Sequence, residues 1–152
     1  MERYIGMDVH AASCTLAVIS EKGRRLKDFP LGNLDGLANC KNLESTNTYE
    51  GFSLSSCHSL EDVGGLSDCK KITEVMFSNS NRTSLPRGLE KITNLQTLRL
   101  SENQSLENID GLAACEGLRE VSLQGCESLA NVVGLVGCKK LAGRPRDTGS
   151  SL

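Results

Sequence analysis

The sequence lacks tryptophan and holds only 3% aromatic residues, which leaves its surface poor in the large anchors that usually dominate binding energy. It contains no run of about 18 apolar residues, so it carries no candidate transmembrane helix. It lacks an excess of either charge: 17 Lys and Arg stand against 19 Asp and Glu, a net charge of -2 with no electrostatic footprint for nucleic acid. Its opening, Met1 to Asp8, lacks the charged-then-apolar layout of a signal peptide. Cysteine is present but sparse for a disulfide scaffold, seven in 152 residues and an odd number. These shortages argue against a membrane protein, a secreted disulfide-rich protein and a simple basic DNA-binding domain. The length suits one domain with a core that needs no staples.

What the sequence does have is repetition. Gly-Leu-x-x-Cys-x-x-Leu occurs at Gly36-Leu37, Cys40 and Leu43, at Gly65-Leu66, Cys69 and Ile72, at Gly88-Leu89, Ile92 and Leu95, at Gly111-Leu112, Cys115 and Leu118, and at Gly134-Leu135, Cys138 and Leu141. The leading glycines lie 29, 23, 23 and 23 residues apart. A second pattern runs between these anchors: Phe52, Leu54, Cys57 and Leu60; Val75, Phe77 and Ser80; Leu98, Leu100, Asn103 and Leu106; Val121, Leu123, Cys126 and Leu129. The long first interval is therefore a 23-residue unit with six extra residues between Leu43 and Phe52, a polar loop around Ser45 to Glu50 with Tyr49 as its one aromatic. A fixed period of this length signals stacked units, each unable to bury its apolar face alone.

Within a unit, alternation sets a short strand. Leu98 and Leu100 point inward while Thr97, Arg99 and Ser101 point outward. Stacked units then form a parallel sheet, and short helical or 3₁₀ turns return the chain at the glycines. Asn103, after its strand, has an amide that can satisfy loop backbone groups turned away from water, with Cys57, Ser80 and Cys126 as its counterparts. Cys40, Cys69, Cys115 and Cys138 share one position, filled by Ile92 in the middle unit, so they read as small buried fillers. Spacings of 29, 46 and 23 residues do not match a metal site. Buried free thiols suggest a reducing compartment, the cytoplasm.

At Leu95-Gln96-Thr97-Leu98-Arg99-Leu100-Ser101-Glu102-Asn103-Gln104-Ser105-Leu106 the chain resembles the L-x-x-L-x-L-x-x-N-x-x-L core of the leucine-rich repeat. The cysteine-bearing form is similar to repeats of kinetoplastid leucine-rich-repeat proteins and, in length, to internalin-like ones. The resemblance spans roughly Leu31 to Leu141 and implies an α/β solenoid. It is specific for fold and not for function.

Residues 1–29 do not share the period. They read as three strands, from Tyr4 to His10, Cys14 to Ser20 and Arg24 to Phe29, a small antiparallel meander placed to cap the first unit. Tyr4-Ile5-Gly6-Met7-Asp8-Val9-His10 and the strand after it resemble the first hairpin of RuvC-like insertion-sequence transposases of the Piv/MooV type. That resemblance implies a divalent-metal role for Asp8 as one member of an acidic DEDD set, with Mg²⁺ as cofactor. The chain departs from the family at about Pro30, where repeats begin, and one carboxylate cannot hold the metals for strand cleavage. His10 and His58 stand isolated and read as surface or loop residues.

Three units follow: 1–29 as the cap, 30–142 as repeats, and 143–152 as a disordered tail. The expected binding face is the outward row, namely Ser53 and Ser55, then Glu74, Met76 and Ser78, then Thr97, Arg99 and Ser101, then Glu120, Ser122 and Gln124. Met76 and Arg99 are its only anchor-like side chains. The function expected is a non-enzymatic protein-binding scaffold without metal or cofactor, its partner an unspecified protein, with no membrane and no nucleic-acid partner. The alternatives are a truncated or fused transposase fragment and a small inhibitory binder linked to mobile DNA. Asn81-Arg82-Thr83 has the form of a glycosylation acceptor, expected to be idle without a secretory signal. No strand completes the last unit after Leu141, so Leu135 and Leu141 are expected to be thinly covered, with either marginal stability at that end or self-association through it.

Overall fold

The computed structural model describes residues 3–10, 13–20, 25–30, 32–37, 52–55 and 57–142, the first three of these segments as backbone strands alone. The expected polar loop with Tyr49 and the expected disordered tail lie outside the described residues.

Strands β1 (Arg3–His10), β2 (Ser13–Ser20) and β3 (Arg25–Pro30) pair in that order, each antiparallel to the next. Asp8 lies opposite Thr15 and His10 opposite Ser13, and the β2–β3 ladder is irregular between Val18 and Ile19. Strand β3 starts one residue later than expected and extends past the expected boundary at 29 to Pro30. Pro30 is the last residue of β3, which lies at the edge of the described sheet, where proline is tolerated.

A second sheet holds β4 (Phe52–Ser53), β5 (Glu74–Met76), β6 (Thr97–Arg99) and β7 (Glu120–Ser122), all parallel and in chain order. Its register follows the repeat: Phe52 pairs with Val75, Val75 with Leu98, and Leu98 with Val121. A parallel pair needs a long crossover, and here the remainder of each unit provides it. A one-residue slip would turn Val75, Leu98 and Val121 out into water, so the apolar column locks the pairing. The crossovers contain 3₁₀ turns at Asp35–Leu37, Gly64–Leu66, Leu89–Lys91, Asp110–Leu112 and Val133–Leu135. A four-stranded parallel sheet with few helices is compatible with an α/β fold, and among the described residues its helical part is these single turns. No helix among them is long and apolar enough to cross a membrane.

The core lies between the strands and the 3₁₀ turns. Val75 and Leu98 on one side, and Leu66, Leu89 and Leu112 on the other, are almost wholly buried, with Leu60, Leu106, Val63 and Ile109 between them. Cys57, Cys69, Cys115 and Cys138 are buried in the same core.

Each strand ends in a turn whose interior is polar. The Asn103 amide donates to the carbonyls of Phe77 and Leu100, and its oxygen accepts from the Ser80 N–H at 2.8 Å. One unit on, the Cys126 thiol donates to the Leu100 carbonyl at 3.0 Å. The preceding residue is left-handed in three successive units: Asn79 at φ 54°, Glu102 at 60° and Gly125 at 72°. Glycine meets that demand without strain and asparagine tolerates it, whereas a Cβ-bearing residue such as Glu102 is disfavoured by about 1–2 kcal/mol.

The third unit breaks the lattice. Pro86 replaces Val63 and Ile109 of the neighbouring units, Gly88 is left-handed at φ 88°, and the 3₁₀ turn begins only at Leu89. On the side away from the sheet, bridges join Asn33 to Asp62 and Asp62 to Arg87, so the second step is 25 residues long. The two-residue slip changes what the anchor glycines touch. A Cβ on Gly65 would lie 1.8 Å from the Leu34 carbonyl oxygen, and one on Gly134 2.0 Å from that of Ile109. On Gly111, above the slipped unit, the nearest atom would be Leu85 Cβ at 3.9 Å.

At the far end the cover thins at Leu141, as expected, whereas Leu135 stays in the buried core. Leu100 and Leu106 are buried, but their counterparts Leu123 and Leu129 are only partly so, as is Leu141. Leu135 keeps 9% exposure, and Val132 reaches 44% at the position where Ile109 is fully enclosed.

The glycine contacts give a paired prediction. Gly65→Ala is expected to destabilise the chain by about 1–3 kcal/mol, as overpacking against backbone does. Gly111→Ala should stay within about 0.5 kcal/mol of the parent. Urea denaturation of the two variants checks the difference.

Candidate binding face

Alternation on β4–β7 lifts one set of side chains clear of the core. In the described residues the outward positions form three ranks across the sheet. Glu74, Thr97 and Glu120 stand in one, Ser53, Met76, Arg99 and Ser122 in the next, and Ser55, Ser78, Ser101 and Gln124 in the third. All eleven expected face residues are thus brought together on one side. Glu120 and Gln124 are exposed and the other nine are half-buried, while Leu54, Val75, Phe77, Leu98, Leu100 and Val121 between them are buried.

The ranks are cross-linked. Arg99 Nε donates to Glu74 Oε1 at 2.5 Å, a diagonal ion pair between β6 and β5 with both side chains partly covered. Ser53 and Ser55 share a hydroxyl hydrogen bond of 3.1 Å, Ser78 N donates to Ser55 Oγ at 3.4 Å, and the Ser101 and Ser122 hydroxyls lie 3.4 Å apart. The pair with Glu74 holds the guanidinium in the plane of the face, beside Met76 in register on β5. The arrangement offers a fixed cation, a flexible thioether and a rank of hydroxyls.

Several residues outside the face join one unit to another, and the repeat pattern alone did not mark them. Arg82 donates from Nη1 to the carbonyls of His58 and Leu60 and from Nε to that of Ser84, with burial lowering its pKa against a smaller raising effect from Glu61. The available signal was a broken column, since Ser59, Ser105 and Ser128 hold the equivalent positions. Asn94 Nδ2 donates to the carbonyls of Lys70 and Ile72 in the preceding unit. His58, read as isolated, shares a 2.8 Å hydrogen bond between Nδ1 and the Ser80 carbonyl. Asn81 is exposed and accepts from Ser105 Oγ.

The cysteines do more than fill space. Cys138 donates its thiol to the Leu112 carbonyl at 3.3 Å, and Cys69 is 3.8 Å from that of Leu37, each reaching into the previous unit. Cys115 lines a shallow cavity of about 260 Å³ with Glu90, Ile92, Leu95 and Glu116. Burial above all, then Cys138 and Glu90, pushes the Cys115 thiol up from 9.0 to about 11, and burial raises Cys126 and Cys138 as well. Among the described residues no three His, Cys, Asp or Glu side chains are grouped to hold a metal ion. Asp8 sits on β1, opposite Thr15 of β2.

The raised thiol has a signed consequence. Its contribution to stability is complete below pH 9.0, where the thiol is neutral in both states, and is lost as pH rises towards about 11. Thermal unfolding is expected to fall across that window, and the fall should shrink in Cys115→Ala. At pH 8, iodoacetamide should modify Cys115 far more slowly in the native chain than in urea. No protein-family model matches the chain, and comparison with curated proteins gives no match either.

Proposed function

We propose that the chain is a non-enzymatic protein-binding scaffold of leucine-rich repeats, wound as a short α/β solenoid in the cytoplasm. Residues 1–29 serve as its antiparallel N-terminal cap, and an unidentified protein is its partner. The observation that carries this reading is the outward row: eleven side chains at matched unit positions, half or fully exposed above a buried apolar row. Rigid presentation of this kind lowers the ordering cost of association. Met76 and Arg99 adjoin across β5 and β6, so they form the centre of the contact, with the serine rank and Glu120 at its rim. A second contact belongs to the same reading, self-association through the C-terminal end.

The face is tested by affinity capture with the full chain and with Met76→Ala and Arg99→Glu variants of unchanged thermal stability. The expected result is a partner retained by the parent and lost, by about tenfold or more in affinity, in both variants. A set of partners bound equally by all three chains would sink the assignment.

One observation favours a second reading, the transposase fragment. Strands β1 and β2 form a hairpin with Asp8 on its first strand, the placement that the resemblance to RuvC-like enzymes implies. On that reading the chain acts beside other subunits that supply further carboxylates. Mg²⁺- or Mn²⁺-dependent DNA cleavage that disappears in Asp8→Asn is its expected outcome, and cleavage unchanged by the substitution would remove it.

A further inference from the structure

Asn94 ties its unit to the one before through a pair of backbone oxygens. Its Nδ2 donates to the carbonyls of Lys70 and Ile72, two residues apart in the preceding unit. One unit on, the same position is Gly117, and the matching oxygens are those of Thr93 and Leu95. A Cβ on Gly117 would lie 3.1 Å from the Leu95 oxygen and 3.3 Å from the Thr93 oxygen, with no other atom beyond its chain neighbours within 4 Å. Among the described residues neither oxygen accepts a hydrogen bond. Leu95 is only 2% exposed, and a carbonyl enclosed that far is costly without a donor.

Thr93, Leu95 and Gly117 line the same cavity as Cys115, where the slipped third unit meets the fourth. Cys69 and Cys138 reach carbonyls of the unit before each, those of Leu37 and Leu112. Cys115 instead stays within its own unit, 3.9 Å from the Gly111 oxygen, and leaves room beside it. The buried Ile92, Leu95 and Cys115 give the cavity an apolar floor, and the exposed Glu90 and Glu116 stand at its mouth. Glu116 already pairs with Lys139 at 3.0 Å, whereas Glu90 has no ion pair among the described residues. The mouth therefore carries one uncompensated negative charge.

We propose that this cavity binds an alkylammonium group, its nitrogen held by the Thr93 and Leu95 carbonyls and its hydrocarbon resting on Ile92, Leu95 and Cys115. Asn94 is the precedent within the chain, a single nitrogen bridging the equivalent pair of oxygens one unit earlier. A primary ammonium has a third N–H, and the Glu90 carboxylate is the acceptor for it. Two carbonyls and a carboxylate repel an anion and offer nothing to a group without donors, so the ligand is a cation with N–H bonds. An ammonium also gathers its donors on one atom, as the Asn94 nitrogen does, whereas a guanidinium spreads them over a planar fork. The site lies outside the outward row and is independent of the reading of that row as a binding face.

Titration of the full chain with n-butylammonium chloride at constant ionic strength, read from backbone amide chemical shifts, tests the site. Saturable shifts are expected at Gly117 and over residues 93–96, with an affinity in the millimolar range. Butyltrimethylammonium has the same charge without an N–H, and should bind about tenfold more weakly or worse. Glu90→Gln should weaken n-butylammonium by about threefold to tenfold. Gly117→Asn brings the Asn94 amide to the same two oxygens and should abolish binding. Glu90→Gln changes only an exposed side chain, so it decides the matter even if Gly117→Asn fails to fold. Nα-acetyl-lysine methylamide carries the same group on a peptide: affinity equal to that of n-butylammonium assigns the site to a lysine side chain, and weaker binding to a free amine. Absence of saturable shifts, equal binding of the two butyl cations, or n-butylammonium binding unchanged in Glu90→Gln would each overturn the proposal.

Discussion

The Asn103 side chain holds the turns of this protein in place. A strand of three residues followed by a sharp return leaves backbone carbonyls pointing into the core, where water cannot reach them, and each would cost about 1–3 kcal/mol if left unmet. The Asn103 amide meets two such carbonyls, one in its own unit and one in the unit before, and accepts an N–H from that same unit. One side chain thereby fixes a turn and ties it to its neighbour. Ser80 and Cys126 hold the same column with fewer donors, so the turns around them depend on the amide beside them. The left-handed residue that precedes each member aims the column inward, which explains why strain at Glu102 persists. Short strands, buried leucines and the outward row all follow from this geometry.

Much of the arrangement could be read from residue types and their spacing. The columns of Val75, Leu98 and Val121, and of Leu66, Leu89 and Leu112, assigned inward positions because apolar residues recurred at one place in every unit. The outward row followed from the same alternation, and its eleven residues share one side of the sheet. The 3₁₀ turns were expected at the glycines and lie there, but the third starts two residues late. Pro86 fixes its own φ and removes a donor, and the resulting slip depends on how two units meet, which a single repeat does not encode. Contacts such as Arg82 to the Leu60 carbonyl, or Asn94 to Ile72, were opaque for a related reason. A long polar side chain reports its reach only when its neighbour's backbone is known.

The outward row shows how a small protein nearly without aromatic side chains can still present a defined surface. Its polar groups are largely bonded to one another: Arg99 to Glu74, Ser53 to Ser55, and Ser101 to Ser122. Prior bonding of this kind removes rotamer freedom before any partner arrives, so less is lost on contact. On the proposed reading as a binding face it would also temper affinity, because any carboxylate brought to the face has to compete with Glu74 for the same guanidinium. Met76 lies outside that competition and can adapt its shape.

The slipped third unit divides the stack unequally. Gly65 before it and Gly134 beyond it press on carbonyl oxygens of the unit preceding each, whereas Gly111, set directly on the slipped unit, touches almost nothing. The back bridges run from Asn33 through Asp62 to Arg87. The described repeats therefore carry a fault line. Local opening would propagate freely within each block and halt at Pro86, so two segments would exchange their amide hydrogens on different clocks, and a steady pull on the two ends would part the chain there first.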